Sequence, residues 1–136
     1  MNLNRSGITS TDYVSEKQIL FCKEGYIGVS VVVGNTGVTA ADGKKIIKAG
    51  TPLAGDLTAR GTAFKKATTT TGSDGAADTS DAVGVAYRDI DVTDGNANAT
   101  LMVKGCVDLN KLDSTVVTLV DDAVKAALKG DILFLK

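Results

Sequence analysis

Residues 26–33 read Tyr-Ile-Gly-Val-Ser-Val-Val-Val and run straight into Gly34-Asn35-Thr36-Gly37. The first stretch alternates. Ile27, Val29, Val31 and Val33 share one face at the period of two, and Gly28, Ser30 and Val32 take the other. β-Branched residues fit a pleated surface, and a Gly-Asn-Thr-Gly run ends it in a turn. This is a strand, and its neighbours read the same way. Upstream, residues 17–22 (Lys-Gln-Ile-Leu-Phe-Cys) form a second strand across the turn Lys23-Glu24-Gly25. Downstream, Asp42-Gly43 turns the chain into a lysine-rich strand with Ile46 and Ile47.

The pattern continues towards the C-terminus. Pro52 cannot donate to a ladder, so residues 49–56 are expected at an edge or corner. Residues 65–81, rich in Thr, Asp, Gly and Ala, predict an exposed loop with a hairpin at Asp74-Gly75. In 82–87, Val83, Val85 and Tyr87 form a bulky face and Ala82, Gly84 and Ala86 a small one. Asp94-Gly95 predicts another hairpin turn. Residues 99–109 put Leu101, Val103, Val107 and Leu109 on one side and Met102, Lys104, Cys106 and Asp108 on the other, with Gly105 as the expected bulge.

One helix is expected, over about 119–129. Thr118 is placed as its cap, Asp121 and Asp122 in its first turn, and Lys129-Gly130 as its stop. Val120, Ala123, Val124, Ala127 and Leu128 make its apolar stripe. The apolar tail Ile132-Leu133-Phe134-Leu135 follows as a last strand. The fold expected is mainly β, a compact barrel-like or sandwich-like domain over 16–136 with one short C-terminal helix. Its core is aliphatic, since the chain has no tryptophan and only three phenylalanines and three tyrosines.

Composition narrows function by subtraction. A net charge of −1 supplies no field to draw nucleic acid or anionic lipid. No apolar run reaches the ~18 residues of a membrane span, and the start of the chain has no signal-peptide core, so synthesis in a cytoplasm is expected. Histidine is absent, which removes the usual base of a Ser or Cys triad and the commonest metal ligand. No phosphate-binding glycine motif occurs. The aspartates of 74–94 lack the ligand order of a calcium loop and read as turn residues. An enzyme, a cofactor and a metal site are therefore not expected. Cys22 and Cys106 are expected as two buried thiols, with a disulfide as the alternative. Residues 1–15, polar with scattered Leu3, Ile8 and Tyr13, read either as a frayed end or as an arm that lays a strand on a partner.

Four blocks in order carry a resemblance: Ala49-Gly50-Thr51-Pro52-Leu53-Ala54-Gly55; Ala82-Val83-Gly84-Val85-Ala86; residues 89–97 leading into 101–108; and the helix followed by Asp131-Ile132-Leu133-Phe134-Leu135. Together they resemble the head decoration and head-fibre-type proteins of tailed bacteriophages, the group of the lambda head decoration protein. The resemblance covers about residues 45–136 and fades over 1–44. It implies a β-tulip-like domain that binds the major capsid protein on the outer surface of the virion, as a homotrimer, after assembly in the bacterial cytoplasm. It also implies that 1–15 is a capsid-binding arm, with Leu3, Arg5, Ile8 and Tyr13 as its contact residues. The small face of 82–86 and the apolar tail become candidate packing surfaces, although packing within the chain accounts for both. A tail or baseplate component, or a small adhesion module, has the same β-rich, histidine-free composition.

Overall fold

The computed structural model describes residues 19–22 and 25–136. Its elements are β1 (Ile27–Val33), β2 (Ile46–Ile47), β3 (Pro52–Ala54), β4 (Lys65–Lys66), β5 (Thr69–Thr70), β6 (Thr79–Ser80), β7 (Gly84–Ala86), β8 (Ile90–Asp91) and β9 (Ala97–Asp108). A 3₁₀ turn at Leu109–Lys111, helices α1 (Ser114–Leu119) and α2 (Asp122–Ala127) and strand β10 (Ile132–Leu135) complete the chain. The protein is mainly β, as its sequence predicts. The main sheet runs β10-β9-β7-β3-β4, with β1 also on β9, and it stays open rather than closing into a barrel.

The sheet divides the core in two. On one face, Met102, Val85, Val107 and Ile132 pack against Leu112, the helical residues Val116 and Val124, and Leu128 just past α2. On the other, Val31, Val33, Leu53, Ala86 and Leu101 pack under Ile47, Ile90, Val92 and Phe64. The second cover is the β2–β8 ribbon together with the segment ending at Phe64. That segment also seals the free edge of β1: the Phe64 N–H donates to the Val32 carbonyl (2.7 Å) and the Gly34 N–H to that of Phe64 (2.8 Å). Gly84 lets β7 lie tight on β9. A Cβ there would stand 2.6 Å from the Met102 carbonyl oxygen. Ala82, Gly84 and Ala86 are all buried, but the expected small and bulky faces are not kept: Ala82 packs with Val85 on the helix side, and Ala86 with Val83 on the other.

The glycine turns fold as read. Asp42 and Gly43 both have positive φ, and Ala41 and Lys44 exchange two backbone hydrogen bonds across them. Asp74 and Gly75 also both have positive φ, and the Ala76 N–H donates to the Ser73 carbonyl (3.0 Å) at the tip of the β5–β6 hairpin. This is the geometry whose twist matches paired strands.

Five further expectations need correction. The helix of 119–129 is two helices. The Asp113 carboxylate caps α1 by accepting from Thr115 N–H, and Asp121 caps α2 by accepting from Val124 N–H (2.9 Å). A carboxylate offered to the backbone at Asp121 stops one helix and starts the next, with Val120 between them outside helical geometry. The apolar stripe survives the break, since Val120, Ala123, Val124 and Leu128 are buried. Second, the bulge of β9 lies between Met102 and Lys104, not at Gly105. An extra residue inverts the alternation. Leu101 and Val107 therefore face opposite clusters, and Met102 joins Val107. Gly105, at φ 150°, is where β9 passes from pairing with β1 to pairing with β10.

Third, Pro52 is not at an edge. It opens β3, which lies between β7 and β4, and its carbonyl accepts from Ala67 N–H (2.9 Å). Only the first position of a strand tolerates the missing donor there. Fourth, Asp94-Gly95 turns the chain without making a hairpin, because β8 pairs with β2. Fifth, the strand of 17–22 is represented by one bridge, Leu20 to Val107; residues 17 and 18 lie outside the described residues.

Candidate functional site: an uncovered end of the sheet

Eight of the described aspartates accept hydrogen bonds from the backbone. The Asp89 carboxylate accepts from Ala49 N–H (2.7 Å), Asp81 from Thr68 N–H (2.7 Å) and Asp78 from Gly72 N–H (2.9 Å). Three Asp-x-Thr turns repeat one device, in which the aspartate accepts from both the N–H and the hydroxyl of the threonine two residues on. These are Asp56 with Thr58, Asp91 with Thr93 and Asp113 with Thr115. The hydroxyl bond, then the backbone bond, hold the Asp56 and Asp91 carboxyls below the usual carboxylate range. Asp113 is held well below it, first by the hydrogen bond from Lys48 Nζ (2.8 Å) and then by Thr115, and the same contact raises Lys48. Turn chemistry accounts for these carboxylates. Among the described residues, no group of three or more Cys, Asp or Glu converges as metal ligands.

The concave features are shallow. An open groove of about 600 Å³ lies over Ser30–Val32, Arg60, Gly61 and Asn98–Thr100. Arg60 is its one charged side chain, and its guanidinium already donates to the Ser30 carbonyl (3.2 Å). Among the described residues, no helix is long and apolar enough to cross a membrane.

The conspicuous surface is apolar. The face carrying Ile27, Val29, Val31 and Val33 is covered by the β2–β8 ribbon and Phe64 only at its far end: Val31 and Val33 are buried, and Ile27 is 49% exposed. Register extends this uncovered end across the sheet. Ile27 lies opposite Lys104 on β9. Beyond the bulge, Cys106 has Leu133 as its partner on one side and Phe21 on the other, where the Phe21 N–H donates to the Cys106 carbonyl (2.9 Å). Leu135 follows two residues on from Leu133. Phe21 and Leu133 are each 51% exposed, and Leu135 is exposed as well.

Phe21, Cys106 and Leu133 are thus register neighbours in one row, with Leu135 two residues on, and Ile27 lies across the exposed Lys104 at its border. Isolated exposed apolar residues are ordinary, whereas exposed apolar residues gathered from several segments make a candidate contact surface. On the opposite face of the sheet, Tyr26 is stacked on Tyr87, which packs against the helix-side core, with ring centroids 5.3 Å apart and planes 5° from parallel. The Arg88 guanidinium lies 5.5 Å from the Tyr87 ring centre, so the stack has three members.

The proposed arm residues Leu3, Arg5, Ile8 and Tyr13 lie outside the described residues. The described chain begins at Ile19, which is buried in the helix-side core and whose carbonyl accepts from the Asp108 N–H near the end of β9. The apolar tail divides between core and surface, with Ile132 buried and Leu133 and Leu135 exposed. Phe21 and Ile27 gave no separate signal in the sequence, because alternation identifies a face without showing where its cover stops. The tail did give one: a strand buried on one face needs apolar residues only at alternate positions, and 132–135 is apolar throughout. No family model, curated protein or solved structure matches the chain.

Proposed function

We propose that this chain is a structural virion protein that binds the outside of a tailed-phage capsid and stabilises the shell. The observation that carries the reading is the uncovered apolar end of the sheet at Phe21, Ile27, Cys106, Leu133 and Leu135. Its partner is the major capsid protein, and residues 1–15 act as an arm over neighbouring capsid subunits. The four blocks resembling head decoration proteins give the reading its direction. Commitment of the carboxylates to turns and caps suits a binding rather than a catalytic role.

The work done is mechanical. A single standard interface of ~1,600 Å² is modest in energy once the cost of association is subtracted. Trimers that grip several subunits of a closed lattice gain avidity from each additional contact. Added burial at every junction then opposes outward pressure on the shell.

Sedimentation with expanded, undecorated heads of the phage that carries the gene tests this. Full-length protein binds saturably. Leu133→Asp with Phe21→Asp removes binding while the circular dichroism spectrum is kept, and deletion of residues 1–15 weakens it. Absence of binding by the full-length protein overturns the reading and turns the search to tail components or adhesion.

A further inference from the structure

Cys22 and Cys106 are far apart in sequence, but the Leu20–Val107 bridge and the Phe21 N–H bond to the Cys106 carbonyl place them on adjacent segments, one residue off direct opposition. Strands ~4.8 Å apart with a rise of ~3.3 Å per residue set such a diagonal at about 6 Å between Cα atoms, within the span of a disulfide. The chain bends at Phe21, out of strict alternation, and the two thiols share a side-chain hydrogen bond. Neither belongs to a disulfide; Cys22 is exposed and Cys106 half-buried. We infer that Cys22 and Cys106 form a cross-strand dithiol that reacts as a pair with small dialkyl disulfides and closes to an intramolecular disulfide.

The two thiols have different roles in the exchange. Desolvation, then the contact with Cys22, push the Cys106 thiol up, so it stays protonated while the exposed Cys22 meets the oxidant. The Cys22 thiolate attacks one sulfur of the dialkyl disulfide, forming a mixed disulfide and releasing one alkyl thiolate. Cys106 then loses its proton to solvent and attacks the Cys22 sulfur, expelling the second alkyl thiolate. The protein loses two electrons and two protons, and the oxidant leaves as two thiols. The bond would tie residues 19–22 to β9 and lock the base of the N-terminal segment. A chain made in a reducing cytoplasm would carry the dithiol and close it on reaching oxidising surroundings.

Full-length reduced protein is incubated with oxidised glutathione, acid-quenched and weighed intact. The expected product is monomeric, about 2 Da lighter than the start, carries no glutathione and resists iodoacetamide. Cys106→Ser is expected to stop at one glutathione on Cys22. Cys22→Ser is expected to react at least tenfold more slowly than wild type. A product with two glutathiones, a disulfide-linked dimer, no reaction, or equal rates for Cys22→Ser and wild type would each overturn the inference. None of these readouts depends on capsid binding.

Discussion

Gly55 and Phe64 share one volume, and a double-mutant cycle measures it. Phe64 is 1% exposed, and its backbone is tied to β1 on both sides. Truncation of a buried Phe to Ala costs about 3–5 kcal/mol, more where the surroundings cannot collapse. Here the flanking backbone is fixed by the Val32 and Gly34 hydrogen bonds, so Phe64→Ala is expected near ~4 kcal/mol. At Gly55, an added Cβ would lie 2.5 Å from Cγ and Cδ2 of that ring. Overpacking of this kind costs about 1–3 kcal/mol, so Gly55→Ala alone should cost ~2 kcal/mol. With the ring removed the clash disappears, and the new methyl enters the cavity. The double variant should therefore lose about 4 kcal/mol rather than ~6, a coupling of ~2 kcal/mol. Urea titrations followed by far-UV circular dichroism give the four free energies, provided the slopes agree. Additivity within ~0.5 kcal/mol would refute the shared-volume argument.

Acid should destabilise the protein through its turn aspartates. Asp56, Asp91 and Asp113 have folded pKa values below their unfolded ones. Their contribution is complete above the unfolded value of ~3.9 and is lost as pH falls from there through the folded values. Urea midpoints should hold steady down to about pH 5 and drop below ~4, less steeply in Asp91→Asn with Asp113→Asn. Gly105→Ala should cost about 1–3 kcal/mol in the same titration, because φ is +150° and the added Cβ meets Tyr26 Cβ at 3.1 Å. A peptide inserted between Asp74 and Gly75 should leave the thermal midpoint within a few degrees of wild type, since that hairpin tip is exposed and loop length is entropically cheap.

The sequence made local chemistry legible and long-range geometry less so. Strand β1, the Asp42-Gly43 and Asp74-Gly75 turns and the stripe Val120–Leu128 follow from periodicity and backbone preference, which act over a few residues. The bulge at Val103 did not follow, because a period of two assumes that no residue is inserted. Its omission misplaced Val107 and Leu109 relative to Leu101. Pro52 misled because one missing donor at the start of a ladder costs little, even inside a sheet. The helix break at Val120–Asp121 was hidden by an apolar stripe that stays in phase across it. Cys22 and Cys106 have apolar neighbours in sequence, yet they lie where the sheet has lost its cover. The candidate site depends on the same fact. The extent of the β2–β8 ribbon decides that Ile27 faces solvent while Val31 does not.

Both ends of the described chain are fastened to the same few residues. Ile19 accepts from the Asp108 N–H on one edge of β9, and Leu135 stands opposite Asp108 on the other. The chain therefore enters and leaves at one end of the sheet, on either side of a single strand. The direction of an applied force then decides how the domain yields. Ends drawn sideways, away from each other, break the flanking hydrogen bonds one at a time, as a zip opens. Ends drawn together along the strand axis load those bonds in shear, and they must fail nearly at once.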